Sequence, residues 1–360
     1  MKKRLLPLLY LAGFSLWAST LSCSLAARVV NPDQAGPPPA STGKFVPAQA
    51  TSPAPPPEAS PLPSLPSPTL APATAAPSLP AETAQSPASP PEALQTCEKD
   101  LCIVDGSFLL KRPVGGNGRK TIVYSDRFGS YRAASSDARH GVYFLNSTGT
   151  PVVAAAGGKV VVAGDDLKVP YGPYPGMYGN LVILQHELPG FDQPVYTLYA
   201  HLSQVSVKAE DTVKAGQQIG LVGMSGSVKG STLQFEVRVG ENNYANARNP
   251  ELWLEPLLDE QGNAQGALAG RVLDSQGNYV PVKNIVVEHL AGPGLPAIDQ
   301  FYLKTYLDKR LIGQTPWEEN FAAGDLPPGE YQISFWEQGL QQQVVKIKPG
   351  QLTVVTFHLP

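Results

Sequence analysis

From about Asn31 to Gln95 the chain is built almost wholly of Pro, Ala, Ser and Thr, and about half of its 37 prolines fall there. Proline has no backbone N–H to donate, and so few large apolar side chains cannot offset the entropy lost on ordering. The stretch TSPAPPPEASPLPSLPSPTLAPATAAPSLP therefore reads as a disordered linker of polyproline II character, spanning residues 27–96. At ~3.1 Å per residue it could reach on the order of 200 Å. Whatever folds in the 360-residue chain is expected C-terminal to it.

The N-terminus carries Lys2, Lys3 and Arg4, an apolar run from Leu5 to Leu21, and then small residues. That order is the grammar of a secretory signal, assigned to residues 1–26, and the run falls just short of the roughly 20 residues of a membrane span. Cys23 follows Leu21 and Ser22 and resembles the lipobox cysteine of bacterial lipoproteins, with Thr20 where that family usually has leucine. The resemblance implies acylation at Cys23; plain cleavage near Ala26, after the small pair Ser24 and Ala26, is the alternative. The expected location is the cell envelope, lipid-anchored at the outer face of a membrane, or the medium. Membrane contact is expected only through that anchor. Cys97 and Cys102, in CEKDLC, read as a small disulfide loop, since no nearby cysteine or histidine completes a zinc knuckle. A net charge of −3 gives no electrostatic case for nucleic acid.

After Cys97, short runs such as GKVVVAG, NLVILQH, PVYTLYAHL, QIGLVG and LQFEVRVG alternate with glycine-bearing turns, and no helical period is sustained between residues 100 and 250. The expected fold class is all-β, with an antiparallel β domain over 97–256. A polar connector, DEQGNAQG, leads to a second β region over 264–360, expected to be a small sandwich. In that region Gly270, Val272, Asp274, Gly277, Val282, Asp325, Leu326, Pro327, Gly329 and Tyr331 resemble the carboxypeptidase regulatory-like, transthyretin-type modules of secreted proteins. His289 and His358 stand alone on strands there and read as structural. In KGSTLQFEVR, a strand places Thr232, Gln234, Glu236 and Arg238 on one face and Leu233, Phe235, Val237 and Val239 on the other. The apolar face is core. The polar row could be an active site, the relic of one, or solvated surface.

The segments HGVYF, TGTPVVAAAGGKVVVAG, YGNLVILQH, TLYAHLSQVSVKAEDTVKAGQQIGLVGMSG and LQFEVR, in that order and spacing, resemble the M23 (LytM-type) peptidase domain of bacterial cell-wall hydrolases. The resemblance implies a groove over a β-sheet. Active members hold one zinc there through His-x-Gly-x-Asp and the second His of His-Leu-His, while the first His of that strand and the His of Tyr-Ala-His-Leu serve the attacking water. Carried over by position, Arg139 and Tyr143 stand where the first motif has its His and Asp, and Thr232 and Gln234 replace the two histidines of the second. Only His201 is retained. Arginine offers no lone pair, and a catalytic zinc takes about three protein ligands. His140, one residue along, points to the opposite face of an extended strand. No metal or other cofactor is expected.

The groove candidates are thus Arg139, Tyr143, His201, Thr232 and Gln234, with His186 near them. The expected role is a non-catalytic envelope protein that binds peptidoglycan or regulates a cell-wall hydrolase. An active M23 metalloendopeptidase with a rearranged site, and an inert structural surface module, are the alternatives. Two readings of Arg139 stand side by side: a docking point for an acidic group of the ligand, and an internal salt bridge, for instance to Glu236.

Overall fold

The structure is a computed structural model that describes residues 95–131, 138–306, 308 and 310–360. The signal region, Cys23 and the Pro/Ala-rich stretch lie outside the described residues. Among the described residues no helix is long and apolar enough to cross a membrane.

Regular structure is almost entirely β. The first part of the described chain supplies β1 (Leu101–Asp105), β2 (Val142–Leu145), β3 (Pro151–Val153), β4 (Gly158–Asp165), β5 (Asn180–His186) and β6 (Val195–Ala200). It continues through β7 (Leu202–Val205), β8 (Thr212–Val213), β9 (Gln218–Val222), β10 (Thr232–Val239) and β11 (Ala247–Arg248). The second part supplies β12 (Gly266–Leu273), β13 (Ile285–Leu290), β14 (Ala297–Leu303), β15 (Phe321–Leu326), β16 (Gly329–Trp336), β17 (Leu340–Ile347) and β18 (Gln351–His358).

Strand β10 organises the first part. It pairs antiparallel with β6 along one edge, and its other edge is shared by β2 at Thr232–Phe235 and β11 at Val237–Arg238. The sheet runs on through β5 and β4 to β8, and a small sheet of β3, β9 and β7 packs beside it. With both edges paired and both faces covered, every residue of β10 is buried. Leu233, Phe235 and Val237 join Tyr199, Val182, Leu184 and Trp253 in the main core. At about 1.5–3 kcal/mol for each large apolar side chain buried, this face fixes the register of the strand.

The second part is a sandwich of two four-stranded sheets, β1-β18-β12-β15 and β14-β13-β16-β17. The first of these buries both faces. Ala267, Ala269, Leu352 and Val354 join the main core, while Leu268, Phe321, Val355 and Phe357 meet Ile285, Val287, Ile333 and Phe335 of the second sheet. The sequence grouped Leu101–Asp105 with the β region that follows it. In the structure this strand instead pairs antiparallel with Gln351–Val355, adding an edge to the C-terminal sheet. Cys97 and Cys102 form a disulfide at its start, with Cα atoms 5.9 Å apart. One buried ion pair, Arg112–Asp325, crosses between the two parts; a second, Arg127–Glu251, lies within the first, and there the Glu251 carboxylate also accepts the Gly324 N–H of the second part at 2.8 Å.

Candidate functional site

The polar row of β10 is not solvated surface. Thr232, Gln234, Glu236 and Arg238 are all 3% exposed or less. Ala200 and Leu198 lie across from Gln234 and Glu236 on the same face, and Tyr143 faces Gln234 from the other side. The face is roofed by the segment between β4 and β5. There the Asp166 carboxylate accepts the backbone N–H groups of Tyr178 and Gly179 at 2.9 and 3.0 Å, which sets the Tyr178 ring over the strand. Tyr178 is fully buried and packs with Leu181, Ile183, Leu198 and Ala200.

Beneath that roof the polar groups satisfy one another. The Tyr178 hydroxyl donates to Glu236 at 2.6 Å, and the Arg238 guanidinium binds the other Glu236 oxygen at 2.8 Å. Neither side chain of this ion pair is exposed. Arg238 also donates to the Tyr171 carbonyl at 3.0 Å and to the Asn242 side chain at 3.2 Å. The Gln234 amide nitrogen donates to Glu236 at 2.8 Å, and its carbonyl accepts from the Tyr143 hydroxyl at 2.7 Å. Burial, followed by the Glu236 charge, pushes the Tyr178 phenol well above its ordinary pKa, so it stays a donor. A buried charge pair survives the loss of water only when its remaining hydrogen-bonding capacity is met, as here.

His201 closes the network. One ring nitrogen lies 3.0 Å from the Gln234 carbonyl and the other 2.9 Å from the Ser225 carbonyl. Its backbone sits in the left-handed region at φ 65°, held by an N–H bond to the Tyr178 carbonyl at 2.9 Å. A non-glycine residue there carries strain that the surroundings must support. Thr232 turns its hydroxyl to the Phe144 carbonyl at 3.1 Å.

Arg139 lies beside Tyr143, its guanidinium carbon 4.6 Å from that ring. Its ion-pair partner is Asp126, not Glu236, which the sequence offered as one possibility. Glu236 is instead matched by Arg238 on its own strand. His140 leaves this face altogether: it stacks on Tyr244 with ring centroids 3.5 Å apart and bonds the Tyr244 carbonyl at 2.7 Å. His186 bonds the Gly157 carbonyl at 2.8 Å and the Thr197 hydroxyl at 2.7 Å. In the sandwich, His289 stacks on Tyr331 and His358 meets Asp100.

The structure places Tyr143, Gln234 and His201 as neighbours, with Arg139 stacked on Tyr143 at the edge. The sequence reading did not include Tyr178, Ser225 or Asp126. Tyr178 opens the YGNLVILQH segment, so its presence near the groove was legible there; its hydrogen bonding was not.

These residues do not fit a zinc ion. Of the five groove candidates only His201 is a strong ligand, and one such ligand falls short of the set of about three that a catalytic zinc takes. Among the described residues no cluster of three His, Cys, Asp or Glu side chains is placed to hold a metal ion. Past the closed network, at the N-terminal end of β10, an open cavity of about 710 Å³ is lined by Asn117, Arg119, Leu145, Asn146, Ser147 and Ser231 among others.

Residues 137–247 match peptidase family M23. The chain is 36% identical over 92 residues to the lipoprotein NlpD of Yersinia enterocolitica, covering 26% of this chain and 80% of that one. It is 39% identical over 90 residues to the cell division protein DipM of Caulobacter vibrioides, covering 25% of this chain and 13% of that protein. To the murein hydrolase activator NlpD of Escherichia coli it is 33% identical over 105 residues, covering 29% of this chain and 24% of that one. The chain therefore belongs to peptidase family M23. It spans only 13% and 24% of the length of the last two relatives.

Proposed function

We propose that this chain is a non-catalytic M23 protein of the cell envelope that regulates a murein hydrolase at the wall. The observation that carries the reading is the Gln234 amide, which joins Tyr143, His201 and Glu236 at 2.7, 3.0 and 2.8 Å in the place the family resemblance reserves for a metal. A site that keeps one histidine, and spends the Tyr143 hydroxyl and the Gln234 amide on protein partners, lacks the set of about three ligands that a catalytic metal needs. The likeness to a protein named as a murein hydrolase activator supports regulation as the role. The partner surface is the rim of the sealed groove, where the cavity beside Arg119 and Ser231 lies open. Peptidoglycan contact through the same rim belongs to this reading.

The organisation we propose around it is an acylated Cys23, a Pro/Ala-rich spacer over 27–96, the M23 domain over 97–256 and a transthyretin-type sandwich over 264–360. In it Leu101–Asp105 is donated across to the C-terminal sheet. The anchor and spacer would hold the head away from a membrane and toward the wall.

The test is dye release from labelled sacculi by a murein hydrolase of the same envelope, with and without the purified chain. Accelerated release that vanishes when Arg119 and Ser231 are both replaced by bulky acidic residues supports the reading. An unchanged rate with every envelope hydrolase tried contradicts it.

A further inference from the structure

A second cavity, of about 270 Å³, lies where the M23 part meets the sandwich. Tyr124, Ser125, Arg127 and Ser130 line it from one side, and Lys283 and Lys304 from the other. Three cations share this small space, and among the described residues no carboxylate lines it. A cleft lined by one sign of charge concentrates ions of the opposite sign.

The three cations are held differently. Arg127 is 6% exposed and fixed: its guanidinium carbon lies 4.4 Å from the Tyr124 ring and 5.6 Å from the Phe301 ring, and one terminal nitrogen pairs with Glu251. Its other terminal nitrogen has no protein partner. Lys304 rests its ammonium 4.8 Å from the Tyr131 ring, and burial lowers its pKa. Lys283 is exposed at the mouth. Glu251 offsets the charge of Arg127, which leaves the two lysines unmatched.

We propose that this cleft binds a phosphate group. Two surplus positive charges match a doubly charged oxyanion. The site is independent of the sealed groove and does not rest on the regulatory reading. The phosphate could be free, or carried by an anionic lipid headgroup.

The test is calorimetric titration of the full chain with inorganic phosphate, against chloride at equal ionic strength. Saturable binding with one site per chain is expected. The Lys283→Gln, Lys304→Gln double variant should bind at least about tenfold more weakly. Arg127 is left intact because its ion pair supports the fold. If the double variant melts early, Lys283→Glu alone serves, since that side chain is exposed. Vesicles of phosphatidylglycerol and of phosphatidylcholine form the second arm: retention on the first alone, lost in the variant, assigns the site to a lipid headgroup. Absence of saturable phosphate binding, or binding equal in wild type and variant, overturns the proposal. So does vesicle retention that survives the substitutions.

Discussion

The Tyr143 hydroxyl donates to the Gln234 side-chain carbonyl at 2.7 Å, between residues that face each other on adjacent strands. By family resemblance these two positions hold ligands of one metal. Here they hold each other, and the strand register that would aim two ligands at an ion aims a donor at an acceptor instead.

Removing that donor should leave the fold intact and weaken it modestly. Tyr143→Phe keeps the ring that stacks with Arg139 but leaves the Gln234 carbonyl short of one bond. The expected loss is about 1 kcal/mol, read from urea denaturation at an unchanged m value.

The Glu236–Arg238 pair should behave as a buried charge pair. Arg238→Met leaves a carboxylate with no cation in a site closed to water, and should cost about 3–5 kcal/mol. Adding Glu236→Gln should recover much of that loss. A double variant as unstable as the single one would show that Arg238 matters for its bonds to Tyr171 and Asn242, not for Glu236.

Arg139 and Asp126 should couple more weakly, because their side chains keep 13% and 29% exposure. A double-mutant cycle with Arg139→Ala and Asp126→Ala should give about 1 kcal/mol or less, shrinking at high salt. If Arg139 also serves partner binding, Arg139→Lys will retain the charge and lose the flat stacking on Tyr143.

Stability should fall as pH rises from weakly acidic to weakly alkaline. Glu319 is buried, and that burial raises its pKa from 4.5 to about 8. In the unfolded chain it ionises first, so its favourable contribution is fully present below pH 4.5 and is lost as pH climbs through about 8. Glu319→Gln should therefore raise the melting temperature at pH 8 relative to wild type and change it little at pH 5.

Much of this was legible in the sequence, for reasons of period and spacing. The alternation in TLQFEVRV showed which residues share a face, and the segment order identified the M23 domain. Period alone does not say whether a polar face meets water or protein. That was decided by Tyr178 and Tyr171, which come from a segment about sixty residues away and roof the strand. Likewise no local pattern announces that Leu101–Asp105 will pair with Gln351–Val355, or that Arg112 will find Asp325, because such partners are chosen by the assembled fold. Asp126 escaped notice as the partner of Arg139 for the same reason.

The central claim is that an M23 fold here works at the wall without cleaving it. The most direct measurement is chromatography of soluble muropeptides released when purified sacculi are incubated with the chain alone in excess zinc. The account predicts a profile identical to that of sacculi without protein. Products of cross-link cleavage that appear with zinc, disappear with a chelator and persist in independent preparations would contradict it.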